Sequence, residues 1–331
     1  MDFAPPVWAL MKTLRNHLLA TCSLLLPLGL MAQDYPAKPS RVIVTVLPGG
    51  GSDLLARLMA GRLGDALGKP FVVEYRPGAD SAIGLEAIAR APADGYTIGV
   101  ATSGLSIHQA LAVKKRPFDA IKDFAPIILF ATTTTVLAGK AALPPDSIAQ
   151  LITYGRGRKD KMTFASCSNG SSHHVAGELF GQLAGVAMVH VPFKGCTQGI
   201  PLILNGEVDL IVNTLANLSQ YIKAGKIKAY AITGSKRSQF APDLPTMAEA
   251  GLSNYAMDNW FGMIAPAGIP QPILARLNSE MNATLNQPAT RDKLIAMQYD
   301  LHGGTAAEFG AHIRSEITRF SKVQGIRIGD E

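Results

Sequence analysis

The sequence predicts an α/β protein with two lobes, each a β-sheet flanked by helices. Short runs of β-branched and other apolar residues alternate with segments whose apolar residues recur at helical spacing. The alternation starts near residue 41, is interrupted by proline-rich passages, and starts again near residue 147. A strand–helix–strand order implies a parallel sheet covered by helices, and its repetition implies two similar units.

The first unit contains three predicted strands and two predicted helices. The strands cover residues 41–47, 71–74 and 96–101. The first helix follows residue 53 and ends at Gly68, and the second covers residues 82–90. The apolar positions of the first helix recur at helical spacing and are Leu55, Leu58, Met59, Leu63 and Leu67.

The second unit repeats this pattern, and a helical tail follows it. Predicted strands cover residues 162–165, 188–193, 208–212 and 229–233, and predicted helices cover residues 147–154, 172–183, 198–204 and 218–224. Residues 272–323 are predicted to be mostly helical. The tail needs a sheet to pack on, and we expect the sheet of the first lobe to provide it.

Composition excludes several classes of protein. The 331 residues are 47% hydrophobic and 17% charged, which supports sizeable cores and argues against disorder. The net charge of +6 is spread along the chain, and the longest basic run is Lys114 to Arg116. A nucleic-acid binder concentrates its positive charge in a patch, so we expect no nucleic-acid partner and a mild bias toward small anions.

Residues 1–32 are predicted to be a signal peptide. Lys12 and Arg15 form a short basic start, residues 18–31 are largely apolar, and Ala32 offers a cleavage point. Met11 is an alternative start to Met1. The apolar stretch is too short for a membrane span, and no later stretch is apolar enough. We therefore expect an exported mature chain without direct membrane insertion.

A glycine turn, residues 48–53 (PGGGSD), separates the first predicted strand from its helix. Glycines allow positive φ and let a ligand approach the backbone without a Cβ in the way. The helix start presents unpaired N–H groups and a partial positive charge, which suit an anion. The alternative interpretation is a helix cap made by Ser52 or Asp53.

A serine loop, residues 166–172 (SCSNGSS), occupies the equivalent place in the second unit. Its small hydroxyl-bearing residues are able to donate several hydrogen bonds to a carboxylate. Alone, the loop fits a polar turn equally well. Opposite the glycine turn, it is predicted to form the second side of a binding cleft.

Longer motifs carry a resemblance to a known family. They include YPAKPSRVIVTVLPGGGSDLLARL from residue 35, RPGADSAIG from residue 76, FASCSNGSSHHVAGELF from residue 164, NGEVDLIVNTLAN from residue 205 and WFGMIAPAGIP from residue 260. With them, residues 35 to about 323 resemble the receptors of tripartite tricarboxylate transporters, also called the Bug family.

This resemblance implies a periplasmic solute-binding protein of the type II fold, with the ligand cleft between its lobes. It implies lobe 1 at residues 33–134 and 256–331 and lobe 2 at residues 135–255. Its implied partners are a small carboxylate (a di- or tricarboxylate or an aromatic acid) and the membrane subunits of the transporter. We expect a monomer that is not an enzyme, with no cofactor and no metal ion.

The resemblance also implies which residues line the cleft. In the first lobe they are Leu47, Gly49, Gly50, Gly51, Ser52, Asp53, Thr102 and Ser103. In the second lobe they are Ser166, Cys167, Ser168, Asn169, Gly170, Ser171, Ser172, Phe193, Lys194, Gly195, Asn213 and Thr214. Departures from the family pattern at Leu47, Cys167, Ser168, Cys196 and Asn213 bear on which acid binds.

Two cysteines outside the signal segment leave a further question open. Cys167 and Cys196 each follow a predicted strand, and the two strands are successive across a strand–helix–strand unit. If these strands are neighbours, the cysteines come within reach of a disulfide. The alternative is two free thiols in the wall of the cleft.

Other interpretations of the polar residues are weaker. His173 and His174 with Glu178 suggest a metal site, but only one histidine shares a helix face with Glu178 and a third ligand is lacking. Ser103, Ser106 and His108 suggest a periplasmic hydrolase, but no glycine elbow surrounds either serine. A ligand sensor that presents its solute to a signalling partner is a third possibility.

Overall fold

The computed structural model describes residues 35–79, 81–111, 116–193, 196–323 and 326. The predicted signal segment therefore lies outside the described residues, as do Lys194 and Gly195. Both sheets belong to one compact unit that begins at Lys38. None of the helices in these ranges is long and apolar enough to cross a membrane.

The first sheet has six strands in the order β11-β4-β10-β3-β1-β2. Their bounds are β1 Ser40–Val44, β2 Phe71–Tyr75, β3 Thr97–Thr102, β4 Phe124–Thr133, β10 Asn259–Pro266 and β11 Tyr299–Gly303. Strands β1, β2 and β3 are parallel, as predicted. Strand β10 runs antiparallel between β3 and β4, and β11 runs antiparallel to β4, so the sheet is mixed.

The second sheet has five strands in the order β7-β6-β8-β5-β9. Their bounds are β5 Thr135–Lys140, β6 Met162–Ser166, β7 Met188–Pro192, β8 Leu210–Thr214 and β9 Ile227–Ile232. Strand β6 is parallel to both β7 and β8, as predicted. Strand β5 pairs antiparallel with β8 and β9, so this sheet is also mixed, and the predicted parallel arrangement does not extend to β9.

In the part of the chain that the structure describes, ten helices cover these sheets. They are α1 Gly51–Leu67, α2 Ala82–Ala89, α3 Gly104–Leu111, α4 Ile148–Gly157, α5 Ser172–Ala184, α6 Ile200–Asn205, α7 Leu215–Lys223, α8 Gln271–Asn286, α9 Pro288–Ala296 and α10 Ala306–Phe320. Helices α8 and α10 pack against β4, which confirms that the tail packs on the first sheet. The prediction of a mostly helical tail missed β11, a short edge strand whose hydrogen bonds come from β4.

The chain passes from the first sheet to the second at Thr134 and returns between β9 and β10. The predicted lobe ranges stay a prediction, because the strands fix only these two crossings. Each sheet has its own apolar core, with Trp260 and Phe309 on the first and Phe164 and Phe180 on the second. Helix α3 contributes Ile107 to the second core, so the two halves are packed together and not merely tethered.

Candidate functional site

The glycine turn is held in place by the carboxylate of Asp53. Its Oδ2 accepts the N–H of Gly49 at 2.8 Å, and its Oδ1 accepts from Arg57 and Tyr75. Burial raises the pKa of Asp53, but the hydrogen bonds from Tyr75, Gly49 and Arg57 outweigh burial and hold the pKa below its ordinary value. Gly49 has φ 95°, a conformation that favours glycine. Asp53 therefore shapes the turn and is already fully paired.

The start of α1 leaves hydrogen-bond donors unused. Gly50 is the N-cap residue and provides no side-chain cap. Among the described residues, the N–H groups of Gly51 and Ser52 and the hydroxyl of Ser52 have no hydrogen-bond partner. The capping interpretation of Ser52 is thus not what the structure shows. Free N–H groups at a helix N-terminus favour an anion.

Two aromatic residues lie beneath the glycine turn. A Cβ on Gly51 would lie 2.5 Å from the hydroxyl oxygen of Tyr299 and 3.1 Å from the ring of Phe261. Both aromatic side chains are buried and meet edge to face, with ring centroids 5.9 Å apart. Burial raises the pKa of Tyr299 to about 12, so its hydroxyl is protonated at neutral pH. Neither residue was predicted from the sequence, because β11 was not recognised as a strand and β10 carries no polar motif.

The hydroxyls of Ser166, Ser171 and Ser172 are engaged with other residues of the loop or with neighbouring side chains. Ser171 accepts the N–H of His174 at 3.1 Å and donates to the carbonyl of Ser168 at 2.8 Å. The Ser166 hydroxyl lies 2.7 Å from Nε2 of His190. Gly170 donates its N–H to Nδ1 of His174 at 3.1 Å. The loop is consequently a fixed frame, and it does not present a row of free hydroxyls.

One buried amide joins the two halves of the chain. Oδ1 of Asn259, at the start of β10, accepts the hydroxyls of Ser103 and Ser172, each at 3.2 Å. Its Nδ2 donates to Oγ1 of Thr133 at 2.9 Å. Ser103 follows the first sheet's β3, and Ser172 begins α5 on the second sheet. Asn259 therefore brings together two predicted cleft residues, although it was not itself predicted.

Strand register places Asn259 and Tyr299 in the same row across the first sheet. Asn259 on β10 and Tyr299 on β11 both pair with Thr133 on β4. Phe261 lies two residues after Asn259 and therefore points to the same face of β10. These side chains therefore form a row across the end of the first sheet, which extends from the glycine turn to the serine loop.

Asn213 is engaged by its own lobe. Its side chain is only 1% exposed. Oδ1 accepts the N–H of Thr214 at 2.8 Å and the amide of Asn217 at 3.0 Å, and Nδ2 donates to the carbonyl of Cys196 at 2.6 Å. Its predicted contact with ligand stays untested, and its visible role is to tie the end of β8 to the segment after β7.

Cys167 and Cys196 form a disulfide, as one of the two interpretations of the sequence proposed. Strands β6 and β7 are neighbours in register, so the residues that follow them lie side by side. The bridge joins the serine loop to the segment that continues the predicted cleft residues 193–195. Phe193 packs toward the apolar cluster of the second sheet and Gly199.

The remaining predicted residues lie at the ends of strands. Leu47 is 61% exposed and precedes the glycine turn. Thr102 ends β3, and its hydroxyl oxygen accepts the N–H of Gly104 at 3.3 Å.

His174 stacks on His190 with ring centroids 3.9 Å apart, and its Nε2 lies 3.7 Å from Glu178. His173 belongs to neither contact, so the described residues do not bring both histidines together with Glu178, as the weaker metal-site interpretation would require.

Two mixed sheets connected by two crossings, with loops from both meeting at Asn259, define the class of two-lobed solute-binding proteins. The model of the tripartite tricarboxylate transporter family receptor matches residues 55–326. The chain is 32% identical to Protein BugT of Bordetella pertussis over 306 residues, which are 92% of this chain and 93% of BugT. The chain therefore belongs to the tripartite tricarboxylate transporter receptors of the Bug type, as the motifs predicted.

Solved structures agree with this assignment. The structure of Rpa4515 from R. palustris with adipate is 33% identical, with a TM-score of 0.77, and the match covers 87% of this chain and 96% of that one. MatC (Rpa3494) from Rhodopseudomonas palustris with bound malate is 28% identical, with a TM-score of 0.76 and coverage of 87% and 99%. The predicted two-lobed α/β fold is confirmed.

Proposed function

We propose that this chain is an exported receptor that captures a small carboxylate between its two sheets. The observation that carries the proposal is Asn259, whose amide holds Ser103 of one half against Ser172 of the other. A ligand that enters beside this contact meets the starts of two helices, α3 and α5. A pair of helix N-termini suits a negatively charged group.

The donors near the glycine turn fit a carboxylate without a dedicated cation. Gly51 and Ser52 offer N–H groups, and Tyr299 offers a protonated hydroxyl from below. Arg57 does not supply the positive charge, because its guanidinium is paired with Asp53. Neutral donors fixed by the fold hold an anion with little reorganisation. The adipate and malate found with related receptors make dicarboxylates the first candidates, ahead of tricarboxylates and aromatic acids.

A thermal-shift screen of the purified mature chain tests this proposal. Adipate, malate, citrate and benzoate represent the acid classes, and a ligand at 100 times its Kd adds about 2.7 kcal/mol to the free energy of unfolding. At least one acid should raise the melting temperature. No shift from any of the four, even at millimolar concentration, would contradict carboxylate capture.

A pair of glycine variants localises the binding. A Cβ on Gly50 has no heavy atom within 4 Å, so Gly50→Val places a side chain in open space at the turn. We expect the variant to fold normally and to lose the ligand shift. Gly61→Val is the matched control, because Gly61 also has open space around it but lies on the exposed side of α1. The control should keep the shift.

Delivery is the second part of the proposal. We propose that the receptor works in the periplasm as a monomer and hands its acid to the membrane subunits of a tripartite tricarboxylate transporter. Family membership supports this. Protein recovered from the periplasm should begin at Gln33 and have the mass of one chain in native mass spectrometry. Cells that lack the receptor should lose uptake of the labelled acid and regain it with wild-type protein but not with Gly50→Val.

We propose further that capture involves no chemistry. The Ser103 hydroxyl donates to Asn259, and Nδ1 of His108 lies 2.9 Å from the guanidinium of Arg116. Neither contact gives Ser103 a base. The methyl ester of the bound acid should therefore be recovered intact after incubation with the protein.

The alternative function is a ligand sensor that presents its solute to a signalling partner. Uptake of the labelled acid that is unchanged in cells lacking the receptor would favour this alternative.

A further inference from the structure

A group of three potential metal ligands lies beside the serine loop. Cys167 follows β6, His173 lies in the first turn of α5, and Cys196 follows β7. One ligand atom from each residue lies within 4.8 Å of the other two. The group is separate from His174, which stacks on His190 and faces Glu178.

His173 has an environment that the proposed receptor function does not explain. The residue is 5% exposed, and its Nε2 has no hydrogen-bond partner among the described residues. Nδ1 has only a long contact of 3.5 Å to the Ser172 hydroxyl. A buried polar atom without a partner costs about 1–3 kcal/mol, so its position needs a reason.

The types of ligand indicate the kind of metal. Two cysteine sulfurs with one imidazole nitrogen form a soft donor set, which favours Zn²⁺ or Cu⁺ over Mg²⁺ or Ca²⁺. No carboxylate belongs to the group. In the disulfide form the sulfurs are poor ligands, since the thiolate is the form that binds metal.

We propose that the reduced form of this receptor binds one soft metal ion through Cys167, His173 and Cys196. A dithiol reductant supplies two electrons and two protons, so that the disulfide becomes two thiols and the reductant becomes a disulfide. Metal binding then releases the two thiol protons to solvent. Zinc–sulfur bonds of about 2.3 Å place the sulfurs about 3.8 Å apart, so the two loops must separate slightly. The bridge and the metal are therefore mutually exclusive.

Metal titration of the whole mature chain tests this. The protein is reduced with dithiothreitol, freed of reductant under nitrogen and titrated with Zn²⁺ against a chromophoric chelator. We expect one Zn²⁺ per chain and loss of two thiols from the count given by a thiol reagent. The oxidised protein should bind none at this site. Equal binding by oxidised and reduced protein, or no binding by the reduced protein, overturns the proposal.

Variants identify the ligands. His173→Ala should weaken Zn²⁺ binding by more than the roughly 10- to 100-fold that is typical for loss of an outer-shell partner. His302→Ala is the matched control and should bind Zn²⁺ as the wild type does, because His302 is exposed on β11 of the first sheet and is not in the group. Cys196→Ser should abolish binding, with circular dichroism to verify folding. Equal Zn²⁺ affinity in His173→Ala and His302→Ala would contradict the assignment. The readout needs no carboxylate, so it is independent of the proposed receptor function.

Discussion

The glycine turn and the serine loop occupy equivalent places in the two halves, yet they are stabilised in different ways. The glycine turn depends on one carboxylate, Asp53, and the N–H groups at the start of α1 have no partner among the described residues. The serine loop is fixed by its own hydroxyls, by His174 and by a disulfide. Two loops that look alike in sequence therefore differ in structure. The glycine turn presents hydrogen-bond donors, and the serine loop is a rigid frame.

This division has a physical reason. A ligand that must enter and leave needs some donors that are free in the empty protein. Each donor that is already ordered reduces the entropy lost on binding. The rigid loop supplies that order through its internal bonds. Three predictions test this comparison, starting with the largest expected effect.

The frame should depend on the disulfide. Replacement of both Cys167 and Cys196 with serine should lower the free energy of unfolding by about 2–4 kcal/mol, since the bridge closes a loop between residues 29 positions apart. Denaturant unfolding measures this. Hydrogen exchange should speed up in residues 166–172 and stay unchanged in residues 49–53. The stability of the double variant should not change when a reductant is added. Two reactive thiols in the unreduced wild-type protein would contradict the disulfide.

The contact between the two halves should depend on Asn259. Asn259→Ala leaves the hydroxyls of Ser103 and Ser172 without their acceptor, and a buried unsatisfied group costs about 1–3 kcal/mol. Asn205→Ala is the matched control because Asn205 is exposed, and it should change stability by less than about 0.5 kcal/mol.

A double-mutant cycle sharpens this second test. Asn259→Ala combined with Ser172→Ala should show a coupling energy between about 0.5 and 3 kcal/mol, because the two side chains are in direct contact. Additive effects of the two substitutions would mean that the halves are not held together there.

The smallest effect is expected for the donor beneath the glycine turn. Tyr299→Phe removes one neutral hydroxyl, and such a hydrogen bond contributes about 0.5–1.5 kcal/mol. The Kd for the acid found in the thermal screen should therefore rise roughly 2- to 12-fold, as measured by calorimetry. Tyr221→Phe on α7 should leave the Kd unchanged. Equal Kd values for the two variants would remove Tyr299 from the site.

Much of the fold was predictable from the sequence because of local periodicity. Strands β1, β2, β3, β6, β7, β8 and β9 and helices α1, α2 and α4 to α7 follow from the apolar periodicity, and the predicted boundaries differ from the observed ones by a few residues. Strands β4, β5, β10 and β11 were not found by this route. Their partners lie far away in the sequence, as when Asn259 pairs with Thr133, and no local pattern records such pairing.

The site divides in the same way. The glycine turn and the serine loop were predicted to line the cleft because small and hydroxyl-bearing residues directly follow a strand. Asn259, Phe261 and Tyr299 were missed, since an asparagine before an apolar strand and a tyrosine in a helical tail carry no local signal. Ser52 was predicted as a possible cap, but the N-cap residue of α1 is Gly50, and no side-chain hydrogen bond caps the helix.

The sequence by itself determined the alternation of strands and helices, the family and the two loops at strand ends, because these depend on residues that are close along the chain. Only the tertiary structure decided that β10 returns to the first sheet and sets Asn259 between Ser103 and Ser172. It alone also decided that Asp53 and Asn213 form hydrogen bonds within their own halves of the chain and that Cys167 bonds to Cys196. The physical reason is that hydrogen bonds and bridges between distant segments depend on strand order, which local residue patterns do not specify.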